Sequence, residues 1–406
     1  MKDYSKKVAV IGGGAAGFFA AISAKKNDPN TEVTIFEKTS KVLAKVKVSG
    51  GGRCNVTHNE LDIKKMIKNY PRGEKFLRKS FYHFSVADTI KWYEERKVKL
   101  KVEADNRMFP ESNSSQTIID TLTRETQKLG VHLKMGMTMT SITEVDKGLK
   151  VGFFNDEEIV FDAVIVCLGG QRTEDKYSIF KDLGHTIEKP VPSLFTFNIT
   201  NNKIIELMGT VSPSAHVKIQ GTKFQNTGPL LVTHCGMSGP AILKLSSIAA
   251  RELANRNYQF KIQVNWLGES NEDHVRGILS QFISENGKKL INKKPFDIPN
   301  RLWNHFTKEL GIDEELTWNT IDKKSKNRII NKVVNDEYEI HKKSTFKEEF
   351  VICGGISLTN INPQTMQSKI TPNLYFAGEF MDIDGVTGGF NFQAAWTTGY
   401  IAGQLK

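Results

Sequence analysis

The sequence predicts an α/β protein built on a doubly wound, parallel dinucleotide-type sheet that both ends of the chain supply. Three observations lead there. Residues 7–17 hold a strand, a glycine turn and a helix start in close succession. Residues 191–268 switch to strand-like alternation punctuated by Gly and Asn. After a helical stretch, residues 350–396 return to apolar strands ending in glycine turns, which completes the first fold late in the chain.

The strand in Lys7–Gly17 is apolar on both faces, as a central parallel strand must be. Gly12 permits the sharp turn after it, Gly14 lets backbone amides approach a pyrophosphate, and Gly17 lets the helix pack closely on the strand. The helix dipole and unpaired first-turn amides then face the phosphates. The helix runs to Asn27 and stops at Asp28-Pro29, and a strand over 32–36 delivers Glu37. A carboxylate at that place accepts from ribose 2′- and 3′-hydroxyls, favouring an unphosphorylated adenosine such as that of FAD or NAD.

At 406 residues the chain has room for two or three domains. Its 39% hydrophobic and 25% charged content suits a globular chain, and no run approaches the ~18 apolar residues that span a bilayer, so no membrane partner is expected. Met1 to Lys7 leads into the first strand without a signal-peptide core, and a cytoplasmic location is expected. Cys54, Cys167, Cys235 and Cys353 are too widely spaced for a CxxC pair, which argues against a metal site and a redox dithiol. The net charge of +11 is spread along the chain, and its densest cluster, Lys323 to Arg328, has no interleaved aromatic residue for base stacking. No nucleic-acid partner is expected on that ground.

In Ser49-Gly50-Gly51-Gly52-Arg53-Cys54-Asn55, three glycines bring the backbone close to something, and the amides with Arg53 suit a ring carbonyl or a substrate carboxylate. Residues 61–101 have helical spacing, with Phe76, Leu77, Phe81, Phe84, Ile90 and Trp92 as the expected buried set. Arg107 opens a segment read as a turn through Ser112, followed by a helix over 114–129. Four short strands, at 132–135, 139–145, 149–154 and 158–160, read as an inserted meander. A buried strand then ends in Gly169-Gly170, bringing backbone near the dinucleotide a second time, and Lys189-Pro190-Val191-Pro192 reads as a boundary.

Strands near 194–199, 215–219 and 259–266 predict a small β-barrel or sandwich. Inside it His234 precedes a glycine turn that opens a helix. A lone histidine is more often structural than catalytic, yet its ordinary pKa near neutrality makes His234 a candidate for proton transfer. Residues 270–347 read as a helical insertion. Gly378-Glu379 ends a later strand and offers a carboxylate to a ribityl hydroxyl, while Gly388-Gly389-Phe390-Asn391 opens a small-residue helix whose amides suit a reduced flavin's N1/C2=O edge. The expected organisation is residues 1–190 with 355–406 for the nucleotide domain, 191–268 with 348–354 for the barrel, and 269–347 for the helical insertion.

Together, GGGAAG at 12–17, Glu37-Lys38, Ser49 to Asn55, Arg107 with Phe109-Pro110, Thr233-His234 with Ser238-Gly239-Pro240, and the closing DGVTGGFNFQ resemble a family over essentially the whole chain. That family is the bacterial NAD(P)/FAD-dependent oxidoreductases of the aminoacetone-oxidase-like group, with bile-acid-inducible flavin reductases among its relatives. The resemblance implies a discontinuous Rossmann-like FAD domain with a fumarate-reductase-like core, an inserted β-barrel, and a helical domain inserted into the barrel. It also implies extended, non-covalent FAD, with adenosine at Glu37 and flavin near Ser49 to Asn55 and the last helix. Gly12, Gly14, Ala16, Gly17, Glu37, Lys38 and Lys45 correspond to the family's cofactor residues. So do Ser49, Gly50, Gly51, Gly52, Arg53, Cys54, Asn55, Glu379, Gly388, Gly389, Phe390 and Asn391, with the backbone of Met139 as the implied adenine contact. The chain departs from the family after Gly170, where Gln171 to Tyr177 replaces a longer Ser/Thr/Gly-rich segment.

The expected activity is that of a flavoenzyme moving hydride through flavin N5 between a small organic substrate or NAD(P)H and a second acceptor such as O2. Asn55, Arg53 and the Asn391 helix start are expected to stabilise charge on the reduced ring, and Arg107 and His234 to orient substrate or move a proton. A second nucleotide fingerprint is absent, so NAD(P)H is expected to visit transiently. The alternative is a non-catalytic or RNA-associated flavoprotein whose basic helical insertion binds a partner. No motif specifies the substrate or the oligomeric state.

Overall fold

The computed structural model describes residues 5–200, 202–344 and 351–406. Met1 to Tyr4, the expected 347/348 boundary and Phe350 lie outside them. Described residues up to 193 and from 351 onward form one compact unit, and those from 194 to 344 form another.

The first unit is organised by a five-stranded parallel sheet. Its spatial order is Leu374–Phe376, Ala163–Val166, Lys7–Ile11, Glu32–Glu37 and His132–Met135. Val8, Ala9 and Val10 have no exposed surface, as the all-apolar strand predicted. The chain winds one way from the first strand through Glu32–Glu37 to His132–Met135, then crosses to the other side at Ala163–Val166. That reversal puts the topological switch point between Lys7–Ile11 and Ala163–Val166, where open α/β sheets bind ligands. His132–Met135 is therefore a sheet edge strand; the antiparallel meander consists of Met139–Val145, Gly148–Phe153 and Glu158–Phe161.

Two helices, Ala15–Asn27 and Phe390–Ala402, are apolar around most of their circumference and buried accordingly. They meet almost backbone to backbone. A Cβ on Gly399 would stand 2.5 Å from the Ala16 carbonyl oxygen, and one on Gly403 would stand 2.3 Å from that of Ala20. The helices predicted between 61 and 101 occur as Ile63–Met66, Glu74–Ser80 and Val86–Glu94, with Phe76, Leu77, Phe81, Phe84 and Trp92 buried.

Further segments differ from the sequence reading. Arg107–Pro110 is a strand, paired with Thr57–His58 on one side and Leu100–Val102 on the other. Its turn-like composition is overridden by two flanking partners that only folding supplies. The expected boundary at 189–192 lies within the strand Ile187–Ser193, which pairs antiparallel with Val351–Ile356. Val351–Ile356 thus stands in the first unit, and the barrel is closed by Asp336–Ser344, a strand within the stretch read as helical.

In the second unit the closed barrel runs Thr196–Ile199, Gly236–Ser238, Gln225–Thr233, Val211–Ile219, Phe260–Asn265 and Asp336–Ser344. Between its last two strands in sequence stand the helices Glu272–Asn286, Asn300–Glu309 and Lys323–Val334. Trp266, Trp303 and Trp318 form the buried centre of this unit.

A buried ion pair ties the first unit's distant segments together. Arg72 binds both carboxylate oxygens of Asp384, through Nε at 2.5 Å and through a terminal guanidinium nitrogen, and Ser193 Oγ donates to the same carboxylate at 2.8 Å. Burial pushes the Asp384 pKa above the ordinary carboxylate value, against the pull of Arg72 and Ser193. Arg72→Met leaves that carboxylate buried without its cation and should cost about 3–5 kcal/mol. A folded-state pKa above the unfolded one means that protonation favours the folded state. The variant's deficit is therefore largest above the folded pKa and shrinks as pH falls toward the unfolded value of about 4. Urea unfolding of both proteins at about pH 7.5 and about pH 5 checks this; an equal deficit at both would count against it.

Candidate functional site

The cradle begins where the first strand ends. The Gly12 amide donates to Phe36 O at 2.8 Å, and a Cβ on Gly12 would sit 2.4 Å from Cys167 O, across the switch point. Gly17 is as confined: its Cβ would lie 2.0 Å from the Gly12 carbonyl oxygen. Gly14 is the opposite case, with no described atom within 4 Å of its would-be Cβ. The sequence assigned these three glycines turn, packing and ligand roles, and their surroundings differ in that sense. Glu37 stands beside the turn. One oxygen accepts from the Gly13 amide at 2.9 Å, and the other accepts from Thr39 N and Oγ1, each at 2.9 Å. Lys38 is exposed, and Met139 is half-buried, two residues beyond the Met137 amide that donates to Glu37 O at 2.9 Å.

Ala44–Gly52 starts as a helix and breaks at Ser49-Gly50-Gly51, where the backbone leaves helical geometry. Gly50, Gly51 and Gly52 have φ of 58°, 67° and 83°, the left-handed region that glycine enters at little cost. Gly50 is pressed on Phe109, whereas Gly51 and Gly52 meet no described atom within 4 Å of a would-be Cβ. Cys54 is fully buried, and desolvation pushes its thiol pKa up to about 12, so it packs as an inert group. Asn55 bridges to the far end of the chain. In the amide orientation that satisfies both ends, Nδ2 donates to Thr57 O and Oδ1 accepts from Gly389 N, each at 3.0 Å.

The Gly388 turn is held from several sides. His58 Nδ1 lies 3.1 Å from Gly388 O, and its ring stacks on Phe390 with centroids 4.6 Å apart. Asn391 Nδ2 donates to Gly385 O at 2.9 Å and its Oδ1 accepts from Gly385 N at 2.8 Å. The side chains of Asn55 and Asn391 thus build the turn, and the helix start at Asn391, expected to meet reduced-ring charge, presents backbone amides. Among the described residues no side chain caps either Ala15–Asn27 or Phe390–Ala402, and neither first turn carries an acid. Gly378 joins the first helix start to the later part of the last helix, its would-be Cβ 2.9 Å from Ala16 Cβ and its amide donating to Thr398 Oγ1 at 2.9 Å.

Glu379 is likewise engaged by protein. Its Oε2 pairs with Lys45 Nζ at 2.5 Å and its Oε1 accepts from Ile352 N at 2.8 Å, although each carboxylate oxygen keeps a second lone pair. Gly170 is pressed against Glu379 and Ile352, while Gly169 is open. The departing segment Gln171 to Tyr177 is anchored: Gln171 Nε2 donates to Leu168 O and Gly169 O, and Tyr177 stacks on Phe380 at 4.7 Å.

Beside the glycine loop, Arg53 and Arg107 flank Phe109, their guanidinium carbons 4.0 and 5.5 Å from its ring centroid. They share Glu103, at 2.6 Å from Arg53 and 3.5 Å from Arg107, and Arg107 Nε also pairs with Asp105 at 2.6 Å. His58 opposes Arg107 in strand register, so both project from one face of the small sheet. Sequence reasoning omitted His58, Glu103, Arg72 and Asp384 from the site, because the pairings that bring 58 to 107 and 72 to 384 leave no local signal. His234 belongs to the second unit, exposed at the turn between Gln225–Thr233 and Gly236–Ser238; the first unit's cluster forms without it.

Does this arrangement fit an extended dinucleotide? Two uncapped helix starts supply amides and positive dipole ends for phosphate and for an electron-rich ring edge. Glu37 stands at a ribose position. Gly14, Gly51, Gly52 and Gly169 leave backbone open where a ligand would lie. The residues present fit FAD. Such a fold, a parallel sheet completed by the C-terminal segment and interrupted by a barrel unit, defines a Rossmann flavoprotein of the oxidoreductase class.

The comparisons agree. The sequence matches the HI0933-like protein Rossmann domain over residues 6–405, and the chain belongs to that family of FAD-binding Rossmann proteins. It is 23% identical over 418 aligned residues to a 3-dehydro-bile acid delta(4,6)-reductase of Clostridium scindens, with 98% of each chain covered. It is 27% identical over 418 residues to a ribosomal RNA dihydrouridine synthase of Haemophilus influenzae, again with 98% of each covered. Among solved structures, a flavocytochrome c3 fumarate reductase in its open conformation shares the fold, with a TM-score of 0.50, 15% identity, and coverage of 99% of this chain and 78% of that one.

Cys54 provides a direct check on the packing of the glycine loop. With its pKa near 12, only about one thiol in ten thousand is ionised at pH 8, and the group is buried besides. Brief iodoacetamide treatment of the native protein should label the half-buried Cys235 and spare Cys54, read by peptide mass spectrometry; comparable labelling of both would show the loop to be open.

Proposed function

We propose that the protein is a FAD-dependent reductase that acts on a carbon–carbon double bond conjugated to a carbonyl, with NAD(P)H as a transient electron donor and O2 as an alternative acceptor. The observation that carries it is the occurrence in one unit of two uncapped helix starts and, pressed on the glycine loop at Gly50, the Arg53–Phe109–Arg107 cluster. FAD, when bound, supplies two-electron hydride chemistry. Gly14 and the first-turn amides would hold its pyrophosphate, Glu37 its ribose, and Gly51, Gly52 and the Gly389 turn the ring. Arg53 and Arg107 supply guanidinium donors for a carbonyl oxygen that gains negative charge. His234 is proposed as the proton carrier, from its residue type.

The kind of double bond is suggested by the relatives' names. A delta(4,6)-reductase and a dihydrouridine synthase both yield products with two more hydrogens across a double bond conjugated to a carbonyl. That common chemistry supports a reductase over an amine oxidase.

Two predictions follow from the cradle and its neighbour. Gly14→Ala introduces a methyl group into open space at a backbone geometry that alanine accepts, so the apo-protein's melting temperature should hold or rise slightly. FAD affinity should nevertheless fall by about tenfold, with a similar loss for Glu37→Ala, measured as flavin retained after gel filtration. Undiminished retention in both would remove the adenosine and pyrophosphate assignments. Separately, NADH or NADPH added without air should bleach the visible flavin spectrum, and a 3-keto-4,6-diene steroid or a uridine-containing RNA should restore it. Recovery only with O2 would overturn the reductase reading, and unchanged turnover in His234→Ala would dismiss that histidine.

A further inference from the structure

In the second unit, the Lys323–Val334 helix buries Ile329, Ile330, Val333 and Val334 and turns a wholly polar face outward. Lys323, Lys324, Asn327, Arg328 and Asn331 line a shallow depression of about 520 Å3 on that face. The neighbouring helix adds a cation: Arg276 donates to Asn327 Oδ1 at 2.7 Å. Arg328 donates one guanidinium hydrogen to Leu310 O at 2.5 Å, which fixes its direction. Lys332, nearer the barrel, serves the fold instead, bound to Glu309 at 2.9 Å and to the buried Asp336 at 2.8 Å. The nearest acid in sequence, Asp322, is the helix N-cap, bonded to Ser325 N at 2.8 Å and Ser325 Oγ at 2.7 Å.

We infer that this depression docks the phosphate backbone of helical RNA. The inference rests on the reductase reading, and names RNA as the carrier of the reduced ring. Four cations from two helices, interleaved with Asn327 and Asn331, match phosphates flanked by sugar hydroxyls. The same face has no apolar side chain to enter a membrane and no aromatic ring on which a base could stack. From the sequence, nucleic acid is not expected, because charge is spread along the chain and the densest cluster lacks such a ring; the folded unit gathers four of those cations on one face, and the missing ring remains. It excludes recognition of splayed single strands and leaves recognition by shape and phosphate untouched. The Haemophilus influenzae relative, named for ribosomal RNA, matches this chain along nearly all of its length.

The test uses the full-length flavoprotein, a synthetic RNA duplex of about 20 base pairs and fluorescence anisotropy across a potassium chloride series. The duplex length exceeds the roughly 16 base pairs that a shape-reading RNA domain spans. The wild type should bind with an affinity that falls steeply with salt, and Lys323→Gln/Lys324→Gln/Arg328→Gln should bind at least ~10-fold more weakly, with the log–log salt slope reduced by about 2. All three side chains are exposed, so the variant's melting temperature should match the wild type. Equal binding by variant and wild type, no binding by the wild type, or equal loss of binding to anionic vesicles would each overturn the inference. Flavin bleaching by NAD(P)H and its recovery with the steroid dienone should be unchanged in the variant. If neither the dienone nor a uridine-containing RNA restores the wild type's flavin spectrum while RNA binding still depends on the three cations, the reductase reading fails and the docking surface stands.

Discussion

The 2.5 Å between a would-be Cβ on Gly399 and the carbonyl oxygen of Ala16 is the constraint on which the rest of the first unit depends. No side chain fits there, so the first and last helices of the chain approach as backbone surfaces and run in the same direction, with the start of Ala15–Asn27 beside Gly399, well along Phe390–Ala402 from its own start. Ala15–Asn27 and Phe390–Ala402 each present an uncapped, positive helix end, and the close packing fixes the separation between the two ends.

Such packing would be imprecise if the turns leading into the helices could drift. Three polar ties prevent it. Arg72 and Ser193 clamp Asp384 at the start of the closing glycine segment, Asn391 closes that segment on Gly385, and Asn55 joins Gly389 to the loop after the three glycines. Buried ion pairs are poor sources of net stability because desolvation offsets their attraction. Here the pair's value is positional, since a displaced Asp384 would leave two buried charges unmatched. Glu379 and Lys45 also pair across residues far apart in sequence, but there the lysine is more than half exposed.

Much of this was legible in advance, for reasons that can be traced to particular residues. The apolar run at 8–11 could only be a buried parallel strand, and Gly12, Gly14 and Gly17 announced three different needs that their surroundings then displayed. The barrel's early strands alternated visibly. Asp336–Ser344 alternates too, with Tyr338 and Ile340 buried between exposed Glu337, Glu339 and His341, but the run is short and follows directly on a Lys-rich helical stretch, so it reads as part of that helix. Arg107–Pro110 was missed as well: Pro and Arg look like a turn, its local partner Leu100–Val102 is short, and its other partner, Thr57–His58, lies far back along the chain.

By itself, the sequence determined that a dinucleotide fold opens and closes this chain, because glycine spacing and apolar runs are local properties dictated by backbone sterics and burial. It also determined which residue types are available for chemistry. Only the tertiary structure decided their tasks. It engaged the side chains of Asn55 and Asn391 in holding the Gly385–Gly389 turn, set His58 across from Arg107, and gave Arg53 and Arg107 a common carboxylate in Glu103. A hydrogen bond or ion pair is settled by distances of about 3 Å, and distances of that size between residues hundreds apart in sequence come into being only when the helices and sheets have packed.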